Sequence, residues 1–364
     1  MKAFANIKSR YAEYKALDSA DKVKAWKEGL INNAIYLLII IAVIYTYTQN
    51  SRFLSVASIV NIISLSAANI PIACGIAGTI VLTGTDLSAG RVVGLTACIS
   101  ASLLQSVTYA TKIFPDLPVL PIPLVILIVI VVGGIVGWVN GFFVAKFHLH
   151  PFIVTLAGMF FGRGMTAIIS TDMISIKNEL FLKWANFRFY MPFGSTNKKG
   201  KFIPAYIPPT VVIAVIVVII IAVLLKYRKF GRKLYAIGGN RQSALMMGLN
   251  VKRTMFQAYV LDGFLAGLGG FLFCLNSCAG FVEQAKGLEM DAISSAVIGG
   301  TLLSGGVGTP IGTLFGVLIK GTISSLITTQ GTLSSWWVRI ILSLLLCFFI
   351  VIQSVIASMK KKAK

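Results

Sequence analysis

The sequence encodes an all-α polytopic membrane protein. Three features say so: long apolar runs, a scarcity of charge, and the confinement of that charge to short segments. Its 364 residues are 56% hydrophobic and 12% charged, with a mean hydropathy of +0.84. A soluble domain is about 25% charged. A two-domain soluble enzyme and a disordered chain are therefore both excluded. The formal charge of +21 would suit nucleic acid if it lay on a solvated face. Here the bases sit between apolar runs, the pattern of basic cytoplasmic loops, so lipid and not nucleic acid is the expected surroundings.

A helix needs about 20 apolar residues to cross the hydrocarbon core. Candidate spans cover 31–48, 56–82, 92–110, 122–146, 151–170, 206–226, 257–278, 291–305, 310–328 and 334–357. The clearest is the run from Ile207 to Leu225. The second carries Pro71, and the eighth is short and rich in glycine. This predicts about ten transmembrane helices. Orientation follows from Lys and Arg. The N-terminal segment holds seven, the segment 226–253 holds eight with no acid, and the tail holds four, and these join Lys146 on one side. The other side collects nine, six of them in the long loop 171–205. Both termini and the 226–253 loop are accordingly placed in the cytoplasm, which an even number of spans allows. No cleavable signal is visible, because the first apolar run begins near residue 30 behind a charged segment. The chain thus divides into a cytoplasmic amphipathic segment 1–29, a membrane domain 30–357 with a cytoplasmic loop at 227–256, and a basic tail 358–364. Within the first segment, 11–29 reads as an interfacial helix.

Five cysteines lie inside apolar runs. Cys274 and Cys278 share a helix face, but two thiols without a nearby His or acid make a poor metal site, so all five read as small buried hydrophobes. His148 and His150, beside Pro151, read as a polar turn. No G-x-x-x-x-G-K-[ST] loop, G-x-S-x-G elbow or paired intramembrane carboxylates occur, so the chain neither cradles ATP nor carries the parts of a hydrolase.

Three motifs carry information. The first is LTGTDLSAGR, Leu82 to Arg91, around Asp86, the single acid between residues 29 and 115. Irregular polar backbone at membrane depth is tolerated only inside protein or beside a water cavity. Gly84, Thr85, Asp86, Ser88, Gly90 and Arg91 therefore read as a helix break on or near a translocation path. Asp86 either caps a helix starting near Leu87 or pairs with Arg91. The second is VIGGTLLSGGVGTPIG, Val297 to Gly312. Its Gly300–Gly306 stretch matches Gly84–Gly90 at five positions of seven, and adds Gly300, Ser304 and Gly306 to the break candidates. Transporters are often built from related halves broken at matching places. The span count gives the two loops one orientation, whereas an inverted repeat needs opposite ones. The third is the loop from Arg228 to Thr254. There Asn240 is a good N-cap, Arg241 to Met247 can form two turns, and Gly248 fits the position after the helix. The short helix would offer Ala244, Leu245 and Met246 to a partner. Of the remaining intramembrane charges, Asp262 and Arg339 fall near expected helix ends and could snorkel. Arg163 is flanked by glycines that admit another backbone. Trp336 and Trp337 sit where an aromatic belt belongs.

At GTDLSAGR, VIGGTLLSGGVGT and FGRKLYAIGGNRQSALMMGLNV, over about residues 30–357, the sequence resembles the permease subunits of bacterial ABC sugar importers of the ribose, xylose and galactose group. It looks closest to the galactose/methyl-galactoside permeases. The resemblance implies a type II importer-like fold, a homodimer in the bacterial cytoplasmic membrane, and no bond chemistry or cofactor in this chain. ATP and Mg would be bound by a separate cytoplasmic ABC ATPase, and an extracytoplasmic sugar-binding protein would deliver a monosaccharide such as galactose, methyl-galactoside or glucose. Asn240, Arg241, Ala244, Gly248 and Asn250 fall where the family's coupling loop lies. The longer N-terminus and the basic stretch 194–201 depart from the pattern. The rival readings are another pentose or hexose, branched-chain amino acids, an ion-coupled carrier, or a membrane-anchored scaffold.

Overall fold

The structure is a computed structural model that describes residues 43–44, 47–48, 55–106, 109, 112–196, 202–330 and 335–362. Two compact units divide the chain, and the larger, Arg52–Gln353, holds the fold discussed below. The first expected span, 31–48, lies outside the described residues except at 43–44 and 47–48, as does the segment 1–29.

The second span is two helices, α1 (Val56–Ala67) and α2 (Asn69–Val81), bent by 53°. Pro71 lies in the first turn of α2, where its missing N–H costs nothing. A break follows, and then α3 (Ala89–Leu103). The next two apolar runs form α4 (Ile122–Lys146) and α5 (Pro151–Ile169), with Pro again in the first turn. The segment after α5 departs from the all-α expectation. It forms a two-residue strand β1 (Ile174–Ser175), a short helix α6 (Glu179–Ala185), and an antiparallel hairpin of β2 (Phe189–Thr196) and β3 (Phe202–Ile207). Phe189, Tyr190 and Phe193 in one strand and Phe202, Ile203, Tyr206 and Ile207 in the other are residues that suit strands, whereas the hydropathy profile reads the segment simply as a gap. Next come α7 (Pro209–Tyr227), α8 (Lys229–Gly239), α9 (Arg241–Met246), α10 (Val251–Ser277), β4 (Ala279–Gly280), α11 (Leu288–Ile298), α12 (Pro310–Gln330) and α13 (Ser335–Lys362).

By length and composition five of these helices can cross a membrane, or six if the bent α1–α2 pair counts as one span. The expected spans 92–110 and 291–305 are shorter than anticipated. They yield α3, of 15 residues, which ends at Leu103 ahead of the polar Gln105 and Ser106, and α11, of 11 residues, which stops at Gly299 and Gly300. At 1.5 Å per residue these reach only about 22 and 16 Å, less than the hydrocarbon thickness.

Helix α10 is the axis of the molecule. It is mostly buried and packs against α2, α3 and α4. Its contact with α4 is backbone on backbone. Gly133, Gly137 and Gly141 of α4 face Tyr259, Gly263 and Gly267 of α10, and a Cβ on either glycine row would strike the other helix's carbonyl oxygens. Small residues every fourth position are what lets two helices in lipid approach this closely. At one end of α10, β4 pairs with β1, Ile174 opposite Gly280. At the other lie α8 and α9. With 27 residues, α10 separates these two ends by about 40 Å.

Candidate functional site

The two glycine-rich breaks meet. Residues 82–88 link α2 to α3, and residues 299–309 link α11 to α12. The Gly306 N–H donates to the Val81 carbonyl at 2.9 Å, and a Cβ on Gly305 would strike the Thr83 methyl. Gly305 and Gly306 adopt φ of +85° and +74°, a backbone that a β-branched residue could not hold without strain. Both breaks therefore lie beside α8. Gly300 and Ser304 are exposed on the second loop.

Asp86 bonds within the turn just ahead of α3. Its carboxylate accepts from the Ser88 N–H at 2.7 Å and the Ser88 hydroxyl at 2.6 Å, and α3 starts at Ala89, two residues after Leu87. It does not pair with Arg91, whose guanidinium donates instead to the Val282 carbonyl at 3.1 Å. Asn140 of α4 donates to the Ser88 hydroxyl at 2.9 Å, and the Thr155 hydroxyl of α5 reaches the Thr85 carbonyl at 3.4 Å. Gly84 lies under the Tyr259 hydroxyl, and Gly90 under the Glu289 carboxylate. Asp86, Ser88 and Arg91 are all buried. The first break is thus an irregular turn wrapped largely in protein, with Thr83 exposed.

Asp262 corrects an expectation. It does not snorkel. Helix α10 begins at Val251, six residues earlier than the apolar run suggests, so Asp262 falls three turns inside and is fully buried against Asp86. Its carboxyl group lies within hydrogen-bond reach of the Asp86 carboxyl and takes no bond from an N–H or hydroxyl of the described residues, and the Tyr259 hydroxyl beside it is likewise unpartnered among them. The sequence does hold two intramembrane acids that meet, 176 positions apart, which no spacing rule could reveal. Arg163 keeps its expected glycine neighbour, with Gly162 packed on Arg91, and pairs with Glu283 at 3.4 Å. Arg339 lies over the exposed Trp336 ring. Cys74, Cys98 and Cys274 are buried as expected, whereas Cys278 is half-buried and Cys347 exposed on α13.

The short helix forms as its caps dictate. The Asn240 side chain accepts from the Ser243 N–H at 2.9 Å. At its C-terminus Leu249 N–H bonds the Ala244 carbonyl and Gly248 N–H the Leu245 carbonyl, with Gly248 at φ +75°. That is the paired closure of a Schellman end. Asn250 then caps α10 through the Arg253 N–H, a role the sequence reading did not give it. Ala244 is a correction: it is fully buried, because the helix face that carries it packs inward. Leu245, Met246 and Met247 are exposed instead, Met246 at 88%, and Arg241 is exposed beside them.

Helix α8 joins this surface to the breaks. The Tyr235 hydroxyl donates to the Gly308 carbonyl at 2.7 Å, and burial raises its phenol above the ordinary range, which keeps it a donor. Gly238 admits the Val81 carbonyl so closely that no Cβ fits. Helix α8 therefore leads at one end through Asn240 into the helix with the exposed methionines, and along its length it touches both breaks. No cluster of three or more metal-binding side chains occurs among the described residues.

Residues 51–350 match the family model described as branched-chain amino acid transport system / permease component. The inner membrane ABC transporter permease protein YjfF of Escherichia coli is 37% identical over 86% of this chain and 88% of its own length. The galactose/methyl galactoside import permease protein MglC of E. coli is 35% identical over 94% of this chain and all of its own. The fructose import permease protein FruG of Bifidobacterium longum is 31% identical over 92% and 96%. No solved structure matches the chain. The chain belongs to the permease components of ABC importers, close to those of sugar importers. It is a multi-pass inner-membrane transport subunit, not an enzyme.

Proposed function

We propose that this chain is the membrane subunit of an ATP-driven monosaccharide importer, with galactose or methyl-galactoside as the first candidates and glucose next. Full-length similarity to a galactose/methyl galactoside permease supports the sugar, and the similarity to fructose and ribose permeases supports other hexoses or pentoses as the alternatives. It works as a homodimer of about ten-helix subunits with cytoplasmic termini. A separate cytoplasmic ATPase binds ATP and Mg, and a binding protein outside delivers sugar.

The observation that carries the mechanism is the connection from α9 through α8 to the breaks. A capped helix of six residues is stiff, and its exposed Leu245, Met246 and Met247 are the adaptable apolar surface a partner would grip. When two ATPase domains close, they would move α9, and α8 would carry that movement to Val81 and Gly308. Breaks with few side chains can re-pack without unfolding the spans. The path would open alternately to either side. Asn240, Arg241, Gly248 and Asn250 shape the coupling surface, while Ala244 seats it on the membrane domain.

Uptake of radiolabelled galactose in cells is the test. Import should survive collapse of the proton and sodium gradients and stop when ATP is depleted. The reverse pattern would instead favour an ion-coupled carrier using the buried acids.

A further inference from the structure

One open cleft of the molecule is lined by no residue of either break. This cleft, of about 980 Å³, opens between α1, the end of α10, the start of α11, α12 and α13. That is at the upper end of the volumes of small-molecule sites, about 300–1,000 Å³. It includes Phe273 and Ser277 of α10, so it lies at the end of that helix opposite α9.

Two helices turn polar stripes toward it. From α12 come Lys320, Gly321, Ser324, Ser325 and Thr328, spaced three and four apart on one face. From α1 and the start of α2 come Asn61, Ser66 and Asn69. Polar side chains on a membrane-spanning helix are costly unless they face protein or water. The Asn69 side-chain oxygen is buried and takes no hydrogen bond from the described residues. Four of the five charges on the wall pair with one another, and the fifth stacks on a ring. Lys320 pairs with Asp291 at 2.6 Å, Lys286 with Glu283 at 3.1 Å, and Arg339 rests on Trp336. What remains is hydroxyls and amides, with aromatic rings of Phe273 and Phe281 beside them. Such a wall suits a neutral solute with many hydroxyls and an apolar ring face.

We infer that this cleft is the outward-facing sugar passage, with Asn61, Asn69 and Ser324 as its hydroxyl-binding side chains. The inference rests on the sugar-importer reading above and gives that reading its residues. It also moves the path away from the Gly84–Arg91 and Gly300–Gly306 breaks, which are left to transmit movement.

The test is thiol labelling of the full chain in intact cells with a membrane-impermeant, sulfonate-bearing thiosulfonate. Ser324→Cys and Asn61→Cys are made in a chain with Cys278→Ser and Cys347→Ser, and Ile219→Cys on the exposed side of α7 serves as comparison. Both cleft cysteines should label from outside and the Ile219→Cys chain should not. Galactose, ribose, fructose or glucose, whichever the parent chain imports, should slow the labelling, and labelled cells should lose uptake relative to the same cells unlabelled. Failure of both cleft positions to label, or labelling that leaves uptake intact, overturns the passage while the importer reading stands. A parent chain that imports none of the four sugars overturns the importer reading and this inference with it. Labelling and its slowing by sugar are read without transport, so a variant with poor uptake still decides the matter, and two positions guard against one that misfolds.

Discussion

Ser88 holds the first break at three points: its N–H and hydroxyl both bond Asp86, and its oxygen accepts from Asn140. Ser88→Ala removes two of these and strands the Asn140 amide in a buried site. The expected loss is about 1–3 kcal/mol of stability, measured as a lowered unfolding temperature of the purified chain in detergent. Asp262 should respond to chemistry more than to size. Asp262→Asn keeps the shape against Gly75 and offers Asp86 an N–H, so the chain should fold and transport. Asp262→Ala removes the partner and leaves a cavity, and folded yield should fall, as size-exclusion chromatography would show.

At the scale of elements, α9 and the α4–α10 crossing make opposite demands. Met246 is on the surface, so Met246→Glu should leave folding unchanged and abolish co-purification of the ATPase together with uptake. Ala244→Glu should fail earlier, by driving a charge into the packing beneath α9. Unchanged ATPase capture by the Met246→Glu chain would remove α9 from the coupling role. The α4–α10 crossing has no room at all. Gly263→Val would put a branched side chain against the Gly133 carbonyl, and overpacking of this kind costs about 1–3 kcal/mol. Thermal melting in detergent should show the drop, while Gly164→Ala, where nothing lies within reach of a Cβ, should melt as the parent does.

Across the whole molecule, the long spans α4, α5, α7, α10 and α12 could be read from hydropathy, because lipid demands an unbroken apolar run and the chain supplies one. The caps Asn240 and Gly248 were equally legible, since a cap is a local bargain between one side chain and the next few backbone groups. What the residues near 84 and 300 could not disclose was that their loops touch, or that α8 lies between both and α9. The glycine rows of α4 and α10 were visible as spacing in the sequence, yet the sequence reading passed over them. The β2–β3 hairpin was hidden because hydropathy registers only that a segment is not a span.

By itself the sequence determined the class of molecule, its sidedness as an expectation, and the three motifs through which the family shows. These depend on solvent preference and on neighbours a few residues apart. Only the tertiary structure decided that Asp86 meets Asp262, that Ala244 turns inward, and that polar faces of α1 and α12 enclose one cleft. Such facts depend on which helices stand side by side, and that is set by packing between residues far apart in the chain.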